Sequence, residues 1–420
     1  MREPPRDIDF DSALGRQVVE LHVWAVSEGL RGVAADALFD GFCQRLVIAG
    51  IPLWRGYAAM NTLHPQWGGY SYTWRRDLNA IEPEQFERAL YRGRSWSDSP
   101  FAYLLSDLNA FSEEANPWRH LRRRLAGPEA KLDFPILEEF AAAGATDYFA
   151  EIVRFGADGD PSRGIGVGYS FTSDRPQGFR DDDLQLLEAV LPALSLALMT
   201  HAGHTIASGL LQAYLGGDAG RRVHAGAVER GSVESIRAVL WFADIRGFTT
   251  LADSTPGLEV IELLDDVFEI LTASLRSRGG QVLKFMGDGM LAIFPLPAET
   301  QAATCRNAIE AAREAMHTLD RVNGARAEAS KPVAEVDLAL HIGEVLYGNV
   351  GAADRLDFTV IGPAVNEVTR IETLCEPLGR KVLVSAEFAA AAGSCIGLQA
   401  LGHHRLRGVR EPRAVYGLDV

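Results

Sequence analysis

The sequence is poor in cysteine and carries no excess of positive charge, and each absence excludes a class of protein. Its four cysteines, Cys43, Cys305, Cys375 and Cys395, are scattered over 420 residues, and no two form a CxxC pair. Such spacing argues against a disulfide framework or a zinc site and fits a reducing compartment. The formal net charge of −15 argues against general attraction to DNA, RNA or anionic lipid. We therefore expect no nucleic-acid partner, and a nucleotide ligand would need local cations or bound metal.

Long apolar segments are also scarce. The N-terminal stretch MREPPRDIDF has no apolar core of the kind a signal peptide requires. The most apolar segment, Ala189–Met199, is too short to span a bilayer and contains Pro192. A length of 420 residues with 47% hydrophobic residues instead suits two or three globular domains. The sequence predicts a cytoplasmic protein with no membrane partner.

Residues 1–205 combine helical and strand-like patterns. Apolar residues recur every three to four positions over 13–30 and 33–48, which predicts two helices. Strand-like runs such as 164–171 (GIGVGYSF) follow, and the leucine-rich segment 179–199 predicts a closing helix. The order of strands and final helix resembles the second half of a GAF-type sensor. That resemblance implies a GAF-like α/β regulatory domain that responds to an unknown small molecule or signal.

Two features of this first region have plainer interpretations. Cys43 lies among apolar residues of a predicted helix, which favours a core position over a covalent attachment point. The basic run Trp118–Gly127, WRHLRRRLAG, indicates a solvated helix face or a structural ion-pair site rather than a nucleic-acid site.

Residues 206–235 predict a helical linker. The helical pattern continues through ASGLLQAYLGG and gives way to a stretch rich in glycine and arginine. Its GGD triplet, 216–218, is expected to end a helix. The segment is either a transducer of conformational bias or a plain tether, and the sequence leaves both open.

Residues 236–420 alternate apolar strands with amphipathic helices, which predicts an α+β domain. The predicted elements are strand 237–245, helix 258–277, strands 281–286 and 290–294, helix 300–322, strands over 336–351 and 357–361, and helix 363–378. Their β-α-β-β-α-β order is that of the ferredoxin-like plan.

Two acidic residues stand where strands of this domain end. Asp244 follows the apolar run AVLWFA, and Asp288 occupies the tip of a predicted hairpin, GDG. Adjacent strands could bring both carboxylates to one edge, where Mg²⁺ could bind with phosphate oxygens. Gly247 allows a sharp turn whose N–H groups could hold a triphosphate. An ordinary hairpin turn with a solvated Lys284 is the alternative for 283–294 alone.

The helix predicted to begin at Pro363 has one apolar and one polar face. Asn366, Arg370 and Thr373 recur at helical spacing on the polar face. An asparagine and an arginine one turn apart could orient a ribose and neutralise a phosphoryl group. The alternative is an ordinary exposed helix face.

Taken together, the motifs resemble the catalytic domain of class III nucleotidyl cyclases, which make cyclic AMP or cyclic GMP. FADIRGFT, GGQVLKFMGDGMLAIF, LHIGEVLYGNVG, FTVIGPAVNEVTRIE and HRLRGVREPRAVYGL occur in order across 236–420. The resemblance implies a lyase that binds two Mg²⁺ per site, with Mn²⁺ as a substitute. It also implies a head-to-tail homodimer in which each chain completes the other's site.

The resemblance assigns roles by position. It implies that Asp244, Asp288 and the carbonyl of Ile245 bind metal. It implies that Lys284 and Thr359 recognise the base and that Asn366 orients the ribose. It further implies that Arg370 stabilises the transition state, that Arg407 binds triphosphate, and that substrate is contacted by Gly247, Phe248 and Thr249.

The base preference follows from hydrogen-bonding chemistry. A lysine ammonium at 284 can donate to adenine N1, and a threonine hydroxyl at 359 can accept from adenine N6. Guanine would call for a carboxylate at 284 and a donor at 359, so the pair predicts ATP. Threonine at this position resembles a mostly bacterial branch of the family. The alternatives are a guanylate cyclase or a degenerate cyclase-fold module that binds nucleotide without turnover.

Overall fold

The protein is described from a computed structural model. The structure describes residues 8–65, 67–78, 80–89, 93–106, 118–155, 166–393 and 397–420, so Cys395 and the start of the GIGVGYSF run lie outside the described residues. The chain divides into two compact units, Met1–Leu210 and Leu211–Val420. Their boundary falls within the predicted linker.

The N-terminal unit places helices on an antiparallel sheet. Its elements are α1 (Ala13–Leu30), α2 (Ala35–Ile48), β1 (Leu53–Asn61), β2 (Trp67–Arg75), β3 (Ala80–Glu87), α3 (Arg94–Ser97), α4 (Pro100–Ser106), β4 (Trp118–Arg124), α5 (Pro135–Ala142), β5 (Asp147–Arg154), β6 (Gly166–Ser173) and α6 (Asp181–Leu215). The strand order is β3-β2-β1-β6-β5-β4. Its largest core contains buried residues of α1, α2, α6 and the sheet, including Cys43, which is fully buried as predicted. The GAF-like assignment stays a prediction.

The basic run of the first unit is a strand, so the prediction of a helix face was wrong. β4 pairs with β5, and this register sets Arg124 opposite Asp147. Arg122 and Arg124 both pair with the fully buried Asp147 carboxylate, at 2.8 and 3.2 Å. The alternative prediction of an ion-pair site is confirmed. Charge alone could not reveal the strand, because its carboxylate partner lies far along the chain.

Helix α6 is longer than predicted. It continues through Pro192 to Leu215 and covers 35 residues. By length and apolar composition α6 could cross a membrane, so the expectation that its apolar segment is too short to span a bilayer was wrong. However, 56% of the 18-residue apolar segment of this helix is buried inside the protein, which is typical of a core helix.

The C-terminal unit is built around an eight-stranded sheet. Its elements are α7 (Gly217–His224), β7 (Val233–Ile245), α8 (Phe248–Ser254), α9 (Gly257–Arg276), β8 (Gln281–Met286), β9 (Gly289–Pro295), α10 (Gln301–Glu328), β10 (Val336–Gly351), β11 (Leu356–Ile361), α11 (Pro363–Glu372), β12 (Val382–Ser385), α12 (Ala386–Ala392), β13 (Leu398–His404) and β14 (Arg413–Leu418). The strand order is β13-β14-β12-β10-β7-β9-β8, and β11 pairs with β10.

The predicted β-α-β-β-α-β plan is confirmed by β7, α9, β8, β9, α10 and β10. These four strands lie side by side in the order β10-β7-β9-β8, with antiparallel neighbours. β7 has an unbroken apolar run because both faces of the sheet are covered. Val239 and Trp241 enter the core shared with α9 and α10, whereas Leu240 and Phe242 enter the core shared with α11.

Three boundaries differ from the prediction. β7 begins at Val233, within the predicted linker, α10 ends at Glu328 rather than at residue 322, and α11 ends at Glu372 rather than near residue 378. As predicted, a helix ends at the GGD triplet, with Gly216 at φ 85°. The following glycine- and arginine-rich stretch then forms a helix of its own, α7.

Candidate active site

The two predicted metal-binding aspartates lie together at one end of the sheet. Antiparallel pairing of β7 with β9, which sets Ala243 opposite Met290, carries the β8–β9 hairpin tip to the end of β7. Asp288 occupies that tip, and a Cβ added to Gly289 would lie 3.0 Å from Oδ1 of Asp244. Burial, the charge of Asp288 and a hydrogen bond between the two carboxyl groups together raise the pKa of Asp244 to about 6.

This pair fits a divalent cation. Two neighbouring carboxylates repel one another, and a bound cation relieves that repulsion. Ile245, whose carbonyl is the third predicted ligand, is the last residue of β7 and follows Asp244 directly. An all-oxygen donor set of this size suits Mg²⁺, which keeps several waters and takes substrate phosphates as further ligands.

The turn after β7 has the expected shape. Gly247 adopts a left-handed conformation, φ 66°, which glycine accommodates without strain. α8 begins at Phe248, which packs against the core, while Thr249 is exposed. The turn therefore follows Asp244 closely in the chain.

A charged layer behind the aspartates was missed by sequence reasoning. Asp337 lies opposite Asp244 in the β7–β10 register and is 4% exposed. Arg246 Nε donates to it at 3.0 Å, and a second guanidinium nitrogen also donates to its carboxylate. Glu372, at the end of α11, is buried. Burial, together with repulsion from Asp244, Asp337 and Asp288, raises its pKa to about 8. Charged residues inside otherwise apolar motifs, FADIRGF and VTRIE, were the available signal.

Lys284 lies on β8, which forms the predicted strand and stands at the edge of the sheet. Lys284, Phe285 and Met286 are all exposed because β8 is the last strand of the sheet on this side. The Lys284 ammonium donates to the Asp357 carboxylate of β11 at 2.6 Å. Thr359 is two residues further along β11 and therefore on the same face as Asp357. The structure thus brings Lys284 to the strand that carries Thr359, and it adds Asp357, which the sequence analysis overlooked.

The remaining predicted residues lie on α11 and the β13–β14 turn. Asn366 is exposed on α11, and Arg370 is one turn further along. A Cβ added to Gly408 would lie 3.5 Å from an Arg370 guanidinium nitrogen, so Arg370 reaches the turn that carries the exposed Arg407. The structure therefore brings together the two aspartates, Lys284 with β11, and Arg370 with the turn that carries Arg407.

A polar network next to Asn366 fixes α11 in place. Glu367 and Arg413 form an ion pair at 3.2 Å, and His341 Nδ1 lies 2.9 Å from the Ser385 hydroxyl. His341, Glu367 and Glu387 are close enough together to hold a metal ion. Since Arg413 and Ser385 already engage these groups, we assign the cluster a structural role.

Comparison with known proteins identifies the C-terminal unit. Residues 232–419 match the family described as the Adenylate and Guanylate cyclase catalytic domain. The Adenylate cyclase of Anabaena cylindrica is 31% identical over 162 residues, which are 38% of this chain and 31% of that protein. Adenylate cyclase 1 of Rhizobium meliloti is 28% identical over 172 residues, which are 40% of this chain and 25% of that protein. A solved bacterial light-regulated adenylyl cyclase is 24% identical, with a TM-score of 0.46, covering 55% of this chain and 65% of that one.

The family match confirms the class predicted from the motifs. The C-terminal unit carries a class III adenylate and guanylate cyclase catalytic domain. The chain spans about a third or less of the length of these two curated relatives.

Proposed function

We propose that the protein is an adenylate cyclase that converts ATP to 3′,5′-cyclic AMP and pyrophosphate. The observation that carries the proposal is the meeting of the Asp244 and Asp288 carboxyl groups within the matched catalytic domain. Two relatives that share this domain are named adenylate cyclases, which supports ATP as substrate.

At phosphorus the reaction forms one bond and breaks one, and the proton of the ribose 3′-hydroxyl is released to solvent. The ribose 3′ oxygen attacks the α-phosphorus, and the bond from this phosphorus to the bridging oxygen of the β-phosphate breaks as pyrophosphate leaves. Asp244, Asp288 and the Ile245 carbonyl would hold two Mg²⁺ or Mn²⁺ ions. Such ions, when bound, lower the pKa of the 3′-hydroxyl and neutralise phosphate charge.

The chain's own side chains supply orientation and charge. Asn366 orients the ribose, and Arg370 stabilises the charge that develops on the α-phosphate, a contribution of about 3 kcal/mol for a preorganised donor. Arg407 and the turn at 247–249 bind the phosphates. Lys284 donates to adenine N1, and the Thr359 hydroxyl is placed to accept from N6.

Each site is shared between two copies of the chain. The two aspartates meet each other, and Lys284 meets β11; in the proposed dimer the aspartates of one chain face the base-recognition residues of the other. Large apolar side chains on the strands around Lys284 favour such a partner. Phe285, Met286, Leu346 and Ile361 are 41–48% exposed, which is costly unless another surface covers them.

Complementation tests the shared site. Asp244→Ala and Arg370→Ala damage opposite halves, so each should be inactive alone. In an equal mixture half of the dimers are mixed, and each mixed dimer retains one intact site, which predicts about a quarter of wild-type cyclic AMP production. A mixture of Asp244→Ala with Asp288→Ala is the matched control and should stay inactive. Absence of recovery in demonstrated mixed dimers, or recovery in the control, would contradict the proposal.

Guanylate cyclase and a non-catalytic nucleotide-binding module are the competing functions. Turnover of ATP and GTP, each with Mg²⁺ and with Mn²⁺, separates the three. The proposal requires faster cyclic AMP formation; equal GTP turnover would favour the first alternative, and nucleotide binding without product would favour the second.

We further propose that the N-terminal unit regulates this activity in the cytoplasm. α6 continues from the first unit into the second, and α7, which follows it, is packed within the catalytic unit: the Tyr347 hydroxyl donates to Asp218 at 3.1 Å, and Arg222 lies over the Tyr347 ring. The test compares cyclase turnover of the full chain with that of residues 211–420, a fragment that keeps α7. Equal turnover under all effectors tried would indicate a plain tether.

A further inference from the structure

The two faces of the N-terminal sheet differ in chemistry. One face packs against α1, α2 and α6 and supplies a large apolar core. On the other face, Tyr57 shares a side-chain hydrogen bond with Ser71, and Tyr148 shares one with Ser170. Ser71, Tyr148 and Ser170 are only 2–3% exposed. Aromatic rings with a few buried hydroxyl groups are the usual lining of sites that bind small molecules.

Arg55 of β1 lies on this second face and has no carboxylate partner among the described residues. Its guanidinium carbon is 5.1 Å from the centre of the Tyr57 ring and 5.0 Å from the centre of the Phe140 ring. Its side chain makes one long hydrogen bond, 3.4 Å, to the Thr73 hydroxyl. Glu82, opposite Thr73 in the strand register, attracts the guanidinium without forming an ion pair with it. Most of the guanidinium N–H groups therefore have no oxygen acceptor within the part of the chain that the structure describes.

Other arginines of this unit are paired. Arg75 pairs with Asp77 at 2.6 Å, and Arg123 pairs with Asp133 at 2.9 Å. Burial lowers the pKa of Arg55, which means that its surroundings oppose its charge. Removing a cation from water is costly unless an anion accompanies it. The planar fork of a guanidinium matches the two oxygens of a carboxylate, so a carboxylate is the anion that Arg55 suits best.

The surroundings of Arg55 indicate what the rest of the ligand is like. The Phe101 ring lies 5.9 Å from the Tyr57 ring, and the Phe140 ring stacks 6.2 Å from the Tyr148 ring. A flat apolar group packs well against such rings. A phosphate dianion would instead lose hydration there in exchange for a single cation. Arg55, Tyr57 and Phe140 are only partly buried, so a small molecule can reach the guanidinium.

We propose that the N-terminal unit binds a small aromatic carboxylate, whose carboxylate group pairs with Arg55 and whose ring packs against Tyr57 and Phe140. The ligand is thus an organic anion of a different chemical class from the nucleotide substrate. This inference goes beyond the proposed function and does not depend on it, because binding is measured without turnover.

Calorimetric titration of the full-length protein with benzoate, benzamide and inorganic phosphate tests the proposal. Benzoate should bind once per chain with a Kd of about 1 mM or lower. Benzamide has the same shape without the charge and should bind at least about tenfold more weakly, as expected for the loss of a hydrogen bond between charged groups. Arg55→Met retains the apolar stem and should weaken benzoate binding by at least about tenfold. Arg45→Gln removes an arginine that lies over the Trp24 ring and should bind benzoate as wild type does.

Four results would overturn the inference. They are benzamide binding within about threefold of benzoate, phosphate binding tighter than benzoate, and benzoate binding that is unchanged in Arg55→Met or is absent below about 10 mM. If Arg55→Met does not fold, as judged by its circular dichroism, Arg55→Lys takes its place. This variant retains the charge but not the planar fork and should weaken benzoate binding by at least about threefold, and unchanged binding would again overturn the inference.

Discussion

The buried carboxyl group of Glu151 gives a quantitative prediction that does not depend on catalysis. Glu151 is 1% exposed, and both of its carboxyl oxygens lack a hydrogen-bond partner among the described residues. Its register neighbours are His120 on β4 and Tyr169 on β6, and Glu188 of α6 adds a like charge. Burial, together with the charge of Glu188, raises the pKa of Glu151 from 4.5 to about 8. The group is therefore neutral in the folded protein over most of the physiological range.

The effect on stability follows from this difference in pKa. Between pH 4.5 and 8 the unfolded chain releases the proton while the folded chain retains it, so the free energy of unfolding falls as pH rises. The contribution of the neutral group is fully present below pH 4.5 and is lost toward pH 8. At about 1.4 kcal/mol per pH unit, the loss from pH 5 to pH 8 is about 3.5 kcal/mol.

Glu151→Gln removes the titration and retains the shape of the side chain. Six of the seven tryptophans precede residue 211, so urea unfolding followed by tryptophan emission reports mainly on the N-terminal unit. The loss between pH 5 and pH 8 should be about 3.5 kcal/mol smaller in the variant than in wild type. Glu84→Gln, on the exposed face of β3, is the control and should retain the wild-type slope. Identical slopes for wild type and Glu151→Gln would refute the argument.

Two further predictions concern the catalytic unit. Because the pKa of Asp244 is raised to about 6, metal-dependent cyclase activity should fall as the pH drops through this value. A higher Mg²⁺ concentration should move the midpoint of this fall to lower pH, since metal and proton compete for the same carboxylate. A midpoint that does not depend on Mg²⁺ would contradict this prediction. Arg246→Ala leaves the buried Asp337 carboxylate unpaired and should lower the free energy of unfolding of the C-terminal unit by about 3 kcal/mol. Arg246→Ala with Asp337→Asn should recover part of this loss, in a urea titration followed by the emission of Trp241 after the other six tryptophans have been replaced by phenylalanine.

Local sequence patterns predicted the elements of this chain better than its contacts. The bounds of α1 and β8 agree with the prediction because an amphipathic period and a glycine-bounded apolar run are local signals. β4 was misjudged because its basic residues show no apolar periodicity, and its assignment depends on pairing with β5. Lys284 and Asp357 are separated by 73 positions, so no local pattern could have shown that they meet.

The position of Lys284 also explains why an exposed edge strand is tolerated. An unpaired strand edge with exposed apolar side chains invites unspecific pairing, and proteins protect such edges with charge or by covering them. β8 has both kinds of residue next to each other: Lys284, neutralised by Asp357, and then Phe285 and Met286. If a second copy covers the apolar pair, the lysine at the rim is carried toward the partner's aspartates. In such a dimer Lys284 both protects the strand edge and binds substrate, while Phe285 and Met286 become buried. This arrangement accounts for a lysine in a strand whose neighbouring residues are apolar.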